Sequence, residues 1–185
     1  GGNAMLVRAG ALHHDIGKIA FPMFFIENQN TGFNPHNEIS YEESAQVIIA
    51  HVTNGVKLAY KHSLPEPIID FIRTHHGTSK TKYFYNRYVA ENPDKPIDQT
   101  LFTYKGPRPF SRETAVVMMV DAVEAASRSL KTHSESEISK LVDNIINSQI
   151  ADEQFSNSDI TFKDVDKIKE LLKNKLQSIY HVRIE

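Results

Sequence analysis

Apolar residues in this chain recur at spacings of three and four, and clusters of breakers divide them into helix-length segments. A short helical pattern over 4–14 stops at the turn marked by Gly17. Residues 21–40, with Pro22, Gly32 and Pro35, predict a long loop directly after it. Ser40-Tyr41-Glu42-Glu43 has the form of a capping box, opening a helix that carries Val47, Ile48 and His51, with a second helical piece running on to His62. Leu64-Pro65-Glu66-Pro67 then resets the direction, and Ile68, Ile69 and Ile72 predict a helix from Glu66 up to His75-His76, where Gly77 is a natural stop.

The second half continues in the same vein. Residues 80–91 predict an aromatic-rich helix, and 92–109, with four prolines and one glycine, a loop or lobe edge. Ser111 caps a helix running to about Lys131, Ser134 to Glu137 forms another capping box before a helix over 138–150, and Thr161 introduces a last helix through about Ser178. Residues 181–185 alternate, over too short a run to assign. The prediction is an all-α helical bundle in one domain over 1–185, without solenoid repeats, low-complexity tracts or long heptad runs.

Composition narrows the chemistry. With 40% apolar and 24% charged residues over 185 positions, the chain has ordinary globular usage. Cysteine is absent, so disulfides and thiolate metal sites are excluded, and any metal must be held by nitrogen and oxygen. Apolar runs such as 115–120 fall far short of a bilayer span, and the N-terminus does not resemble a signal peptide, which predicts a soluble segment. A net charge of −2 offers no global attraction for polymeric nucleic acid, so an anionic substrate would be held locally.

Seven of the nine histidines fall within the first seventy-six residues. His14-Asp15, within Leu12-His13-His14-Asp15-Ile16-Gly17-Lys18, and His75-His76 each stand beside a glycine terminator, with His51 between them in sequence. Neighbours on a helix point about 100° apart, so such pairs converge on one site where a helix ends. Imidazole and carboxylate together suit divalent iron, manganese, zinc or nickel, and two ions sharing a carboxylate point to phosphate-ester hydrolysis. Asp121, inside the apolar run Val116-Val117-Met118-Met119-Val120-Asp121-Ala122-Val123, needs a positive partner; either a metal or a salt bridge with Arg128 would serve.

His14-Asp15 with Gly17-Lys18, His51, His75-His76 and Asp121 resemble the HD superfamily of metal-dependent phosphohydrolases. Phe24-Phe25-Ile26-Glu27-Asn28-Gln29 and Thr74-His75-His76-Gly77-Thr78 further resemble the cytoplasmic HD domain of the seven-transmembrane-HD proteins, cyclic di-AMP phosphodiesterases of the PgpH type. The resemblance covers residues 6 to about 131. It implies that His14, Asp15 and Asp121 bind one metal, that His51, His75 and His76 bind another, and that Asp15 bridges two irons or manganeses. It also implies a further histidine upstream, so that the expected bundle is N-terminally truncated and belongs to a bacterial plasma-membrane protein, meeting the membrane only through segments that precede it. A homodimer is among the states this allows.

The implied reaction opens cyclic di-AMP to linear pApA by in-line attack of a metal-bridging hydroxide. Asp15 and Lys18 are the candidate catalytic residues, Lys18 offsetting charge on the phosphoryl oxygens, and Lys18, Asn28 and Thr78 the candidate substrate contacts. Helix-spaced Tyr83, Phe84, Tyr85 and Tyr88 are read as packing rather than base stacking. Two alternatives stand beside this. One is an HD hydrolase of another nucleotide; the HD-GYP class, which acts on cyclic di-GMP, carries a Gly-Tyr-Pro tripeptide that this chain lacks. The other is a catalytically silent domain that binds metal or nucleotide and reports occupancy to a partner.

Overall fold

The structure is a computed structural model describing residues 2–29 and 32–181, and of His181 only the backbone. It contains seven α-helices and no β-strand among the described residues; one isolated antiparallel bridge joins Lys80 and Thr103. The helices are α1 (Ala4–His13), α2 (Tyr41–Lys61), α3 (Glu66–Thr74), α4 (Lys82–Glu91), α5 (Arg112–Ser127), α6 (Glu135–Ala151) and α7 (Phe162–His181). None is long and apolar enough to cross a membrane. Two compact units divide them, one from Arg8 to Pro107 and the other comprising residues up to Val7 and from Arg108 onward.

The expected pair of helical pieces over 41–62 is one continuous helix, α2. Gly55, which a helix interior tolerates at a cost of about 1 kcal/mol, leaves the room for another segment to approach. Chain reversal after α1 is made by a 3-10 turn, Ile16–Ala20, whose Gly17 lies directly on α2. A Cβ on Gly17 would sit 1.8 Å from the His51 carbonyl oxygen and 2.5 Å from the Gly55 nitrogen. Gly10 on α1 is as restricted, since a Cβ there would lie 2.3 Å from the Phe71 ring of α3. Ala59, Ile69 and Ile72 form the buried centre of this unit, with Ile16, Val56 and Leu64 packed around them.

Among its described residues, the predicted loop over 21–40 is not irregular. It runs through three short 3-10 turns, Pro22–Phe24, Ile26–Asn28 and Pro35–Glu38, because proline presets φ for such turns and Asn34 accepts a hydrogen bond from the His36 amide. At Ser40 the capping box forms as read, with Glu43 N donating to Ser40 Oγ and Ser40 N to Glu43 Oε2. α3 ends at Thr74, and in the turn that follows Gly77 takes a positive φ of 51°, a left-handed conformation that glycine adopts without penalty. The loop 92–109 contains one further 3-10 turn, Gln99–Phe102.

In the other unit, Ala115, Met119 and Val123 of α5 pack with Ile138, Val142 and Ile146 of α6 and with Val165 and Leu176 of α7. Helix α5 stops at Ser127, short of the predicted Lys131, where Ser127 and Ser129 hydroxyls donate to the carbonyls of Glu124 and Ala126 and compete with helix continuation. Ser134 caps α6 through the Glu137 amide, but the Glu137 carboxylate takes the Thr132 hydroxyl, so only half of the predicted capping box is made. α7 extends past Ser178 to His181, and residues 182–185 of the alternating terminus lie outside the described residues.

Because the contact at Gly17 is backbone against backbone, no rotamer change relieves an added methyl. Gly17→Ala should lower the unfolding free energy by about 3 kcal/mol, read by urea denaturation followed by circular dichroism. A variant as stable as the parent would show that the turn does not bear on α2 in solution.

Candidate metal centre

Within the unit of residues 8–107, three short-range devices bring the histidines together. His14 and Asp15 follow the last residue of α1, His51 sits mid-way along α2, and His75 and His76 follow α3. Since the pair 75–76 lies where α3 unwinds, its rings converge, 4.1 Å between centroids, as the glycine stop suggested. Suitable ligand nitrogens of His51, His75 and His76 all lie within 4.8 Å of one another.

Each of the three rings His14, His51 and His75 has Nδ1 at a main-chain carbonyl three residues earlier: Ala11 at 2.9 Å, Ile48 at 2.5 Å and Ile72 at 2.9 Å. A carbonyl only accepts, so Nδ1 carries the hydrogen, and Nε2, the atom turned toward Asp15, is the one left to donate a proton to the carboxylate or to take a cation. The Nε2 atoms of His51 and His75 stand 3.1 Å apart, and Asp15 Oδ1 is 3.3 Å from the first and 3.6 Å from the second. Lone pairs this close, with a carboxylate oxygen between them, repel unless a proton or a cation sits among them. The donor set, imidazole nitrogen with carboxylate oxygen, fits a borderline divalent metal, and the backbone carbonyls are the outer partners that metal-binding histidines ordinarily use.

Asp15 divides its oxygens. Oδ1 faces His51 and His75, while Oδ2 lies 3.2 Å from His14 Nε2 and 2.7 Å from Lys18 Nζ. Burial acts to raise its pKa, but hydrogen bonds from His14, His51 and His75 outweigh burial and hold the carboxyl well below the usual range. Burial pushes His76 well below the ordinary 6.5, and the neighbouring His75 and His51 add to the shift. Tyr104 stacks on the His76 ring, 4.2 Å between centroids and 24° from parallel. Phe25 presents its ring to His51 at 5.6 Å. A cavity of about 120 Å³ opens beside His76, lined in part by Gln46, Thr53, Arg73 and Tyr104.

Lys18 is not an exposed helix-end lysine. Its Nζ is shared between Asp15 and Glu27, 2.6 Å from Glu27 Oε1, and burial, which would lower its pKa, is outweighed by these two carboxylates. Six of the residues singled out in the sequence, His14, Asp15, Lys18, His51, His75 and His76, therefore meet in one cluster. The Asn28 amide nitrogen donates to the Pro22 carbonyl and braces the loop, and Thr78 follows the turn at Gly77. Asp121 lies half-buried on α5, in the other unit, where Arg128 pairs with Glu124 at 2.9 Å. The aromatic run packs largely as read: Tyr85 and Tyr88 lie against Phe102, and Phe84 against His36.

Glu27, Phe25 and Tyr104 are the contributors that sequence reasoning left without a role. Glu27 and Phe25 stood inside a quoted motif, but nothing in the spacing linked them to Lys18 or His51. Tyr104 lay in a segment read as loop, and it is placed by main-chain bonds, its amide donating to Ser79 at 2.9 Å.

Comparison with known proteins follows the same lines. A model of the HD domain family matches residues 1–126. The cyclic-di-AMP phosphodiesterase PgpH of Bacillus subtilis is 42% identical over the whole chain, and PgpH of Listeria monocytogenes 39%. The chain spans about a quarter (26%) of the length of each. An uncharacterised Synechocystis protein is 37% identical, matching 98% of the chain and 23% of its own length. The crystal structure of the L. monocytogenes PgpH HD domain with cyclic-di-AMP superposes with a TM-score of 0.92 at 38% identity, covering 97% of this chain and 83% of that one. A second crystal structure of the L. monocytogenes PgpH HD domain superposes with a TM-score of 0.90 at 37% identity.

The enclosure of His76 has a direct consequence. In metal-free protein its ring resonances should stay constant from pH 7.5 down to pH 6, below the ordinary histidine midpoint, because the charged imidazolium is the form that burial penalises. A full titration over that interval, followed by NMR, would contradict the lowered pKa of His76.

Proposed function

The chain belongs to the HD domain family, and we propose that it forms the hydrolytic centre of a metal-dependent phosphodiesterase that opens cyclic di-AMP to linear pApA. The observation that carries this reading is the convergence of the Nε2 atoms of His51 and His75 on Asp15 Oδ1. Full-length similarity to PgpH proteins, one of them solved with cyclic-di-AMP, supports the substrate. His51, His75 and His76 would hold one divalent ion, and His14 and Asp15 contribute to a second, with Asp15 shared. For Asp121 the support is the family pattern together with its carboxylate on an otherwise apolar stretch of helix. Iron and manganese are the proposed occupants.

When bound, such ions lower the pKa of a water and stabilise charge on phosphoryl oxygens. The chain's own residues do the rest. The carbonyls of Ala11, Ile48 and Ile72 occupy Nδ1 of His14, His51 and His75, which orients each ring and leaves Nε2 as its ligand atom. Phe25 and Tyr104 cover His51 and His76 with apolar surface. Lys18 keeps its charge between Asp15 and Glu27 and is placed to offset negative charge on a phosphodiester. Asn28 and Thr78 are retained as substrate contacts. Water attacks phosphorus, the bond to a ribose 3′ oxygen breaks, and that oxygen takes the proton, leaving the 5′ phosphate of pApA.

The surrounding protein is proposed to be an integral membrane protein of the bacterial plasma membrane with this domain on the cytoplasmic side, as in the seven-transmembrane-HD family.

The test is turnover of cyclic di-AMP beside cyclic di-GMP with manganese or ferrous iron supplied, using residues 1–185 and the full-length gene product. Selective release of pApA is expected. Asp15→Ala should reduce it by at least about 100-fold and lower the bound-metal content, whereas His62→Ala, on an exposed residue at the end of α2, should leave both near the parent values. Bound metal without turnover of either nucleotide would point instead to a sensor domain.

A further inference from the structure

Lys18 is held at more than one point. Its ammonium lies 2.7 Å from Asp15 Oδ2, 2.6 Å from Glu27 Oε1, and 5.1 Å from the centre of the Phe25 ring, the same ring that faces His51. Glu27 sits on the 3-10 turn Ile26–Asn28, and that turn is itself fastened. Asn28 N donates to the Phe25 carbonyl at 2.9 Å, Asn28 Nδ2 to the Pro22 carbonyl at 3.2 Å, and Gln29 Nε2 to the Met23 carbonyl at 3.1 Å. The loop thus presents one carboxylate from a braced position to one ammonium on the turn that carries Asp15.

We propose that Glu27 is a positioning residue, whose hydrogen-bonded ion pair keeps the Lys18 ammonium beside the metal-binding cluster when the Asp15 carboxylate is engaged by a cation. The inference rests on the role given to Lys18 above. With Asp15 free, two carboxylates share the ammonium. With a cation on Asp15, the ammonium has a like charge as neighbour and a partner already occupied, and a lysine stem has four flexible carbons along which to swing away. Glu27 is the anion that the cation leaves alone. A charge is needed and not merely a polar group, since ammonium-to-carboxylate bonds are about twice as strong as neutral ones. Both side chains are partly shielded, Lys18 at 24% and Glu27 at 33% exposure, so salt screens the pair less than an open surface one.

Two measurements test this. The first reads Lys18 directly, without catalysis: competitive acetylation of lysine amines, followed by peptide mass spectrometry, with and without manganese. Lys18 should react slowly in the parent and in Glu27→Asp. In Glu27→Gln it should react at least about fivefold faster, with the larger increase when manganese is present. An unchanged rate in Glu27→Gln under both conditions overturns the proposal. The second reads cyclic di-AMP hydrolysis. Glu27→Gln should lower kcat about tenfold with KM within about twofold, because the ordered charge acts on the transition state, and Glu27→Asp should recover most of it. Lys18→Met/Glu27→Gln should be no slower than Lys18→Met alone, since Glu27 acts through Lys18. A further loss in the double variant overturns the proposal. If the parent hydrolyses no cyclic dinucleotide, the proposed activity fails, and the acetylation rates still decide whether Glu27 holds Lys18.

Discussion

Gly17 meets α2 with no side chain on either side of the contact, its own hydrogen facing the His51 carbonyl and the Gly55 amide at distances where a Cβ would overlap both. Much of the centre depends on this approach. The turn that contains Gly17 also carries Asp15 and Lys18, so the depth of its seating on α2 sets how far the Asp15 carboxylate reaches toward His51 and His75. It also explains why a glycine is carried in the middle of a 21-residue helix, where helix propensity alone would disfavour it. Gly10 does the same for α1 against the Phe71 ring. Small residues at both crossings let the histidine-bearing segments lie close enough to share one carboxylate.

Electrostatics then work on a preformed arrangement. Main-chain carbonyls hold Nδ1 of His14, His51 and His75, so Nε2 of His51 and His75 converges on Asp15 Oδ1 and that of His14 on Oδ2. Such a cluster is unfavourable when empty of positive charge and favourable around a cation, so the fold stores affinity in the crowding of acceptors. Residues from two segments between the α-helices close it. The turns after Pro22 supply Phe25 and Glu27, and the segment after Gln99 supplies Tyr104 as a flat surface for His76. Loops braced by their own side chains thus carry functional groups as rigidly as the helices do.

Capping residues and glycine stops made the helices legible. Ser40 and Ser111 begin helices where their patterns said, and the pair His75-His76 does fall at a helix end. Boundaries failed where short polar side chains competed with the backbone: Ser127 and Ser129 end α5 early, and Thr132 draws Glu137 away from its capping partner. The two helical pieces expected over 41–62 are one helix, and its interior glycine, Gly55, is where the Gly17 turn approaches.

From sequence alone came the all-helical class, the exclusion of thiolate sites, and the residue types and family of a nitrogen-and-oxygen metal centre, since capping chemistry, composition and motif spacing are local properties. Tertiary structure decided that Lys18 is shared with Glu27, that Tyr104 lies flat on His76, and that Asp15 gives one oxygen to His51 and His75 and the other to His14 and Lys18. Those contacts join residues that no periodicity connects: the Gly17 approach to α2 sets the reach of Asp15, the hydrogen bonds of the loop after Pro22 set Glu27, and a main-chain bond to Ser79 sets Tyr104.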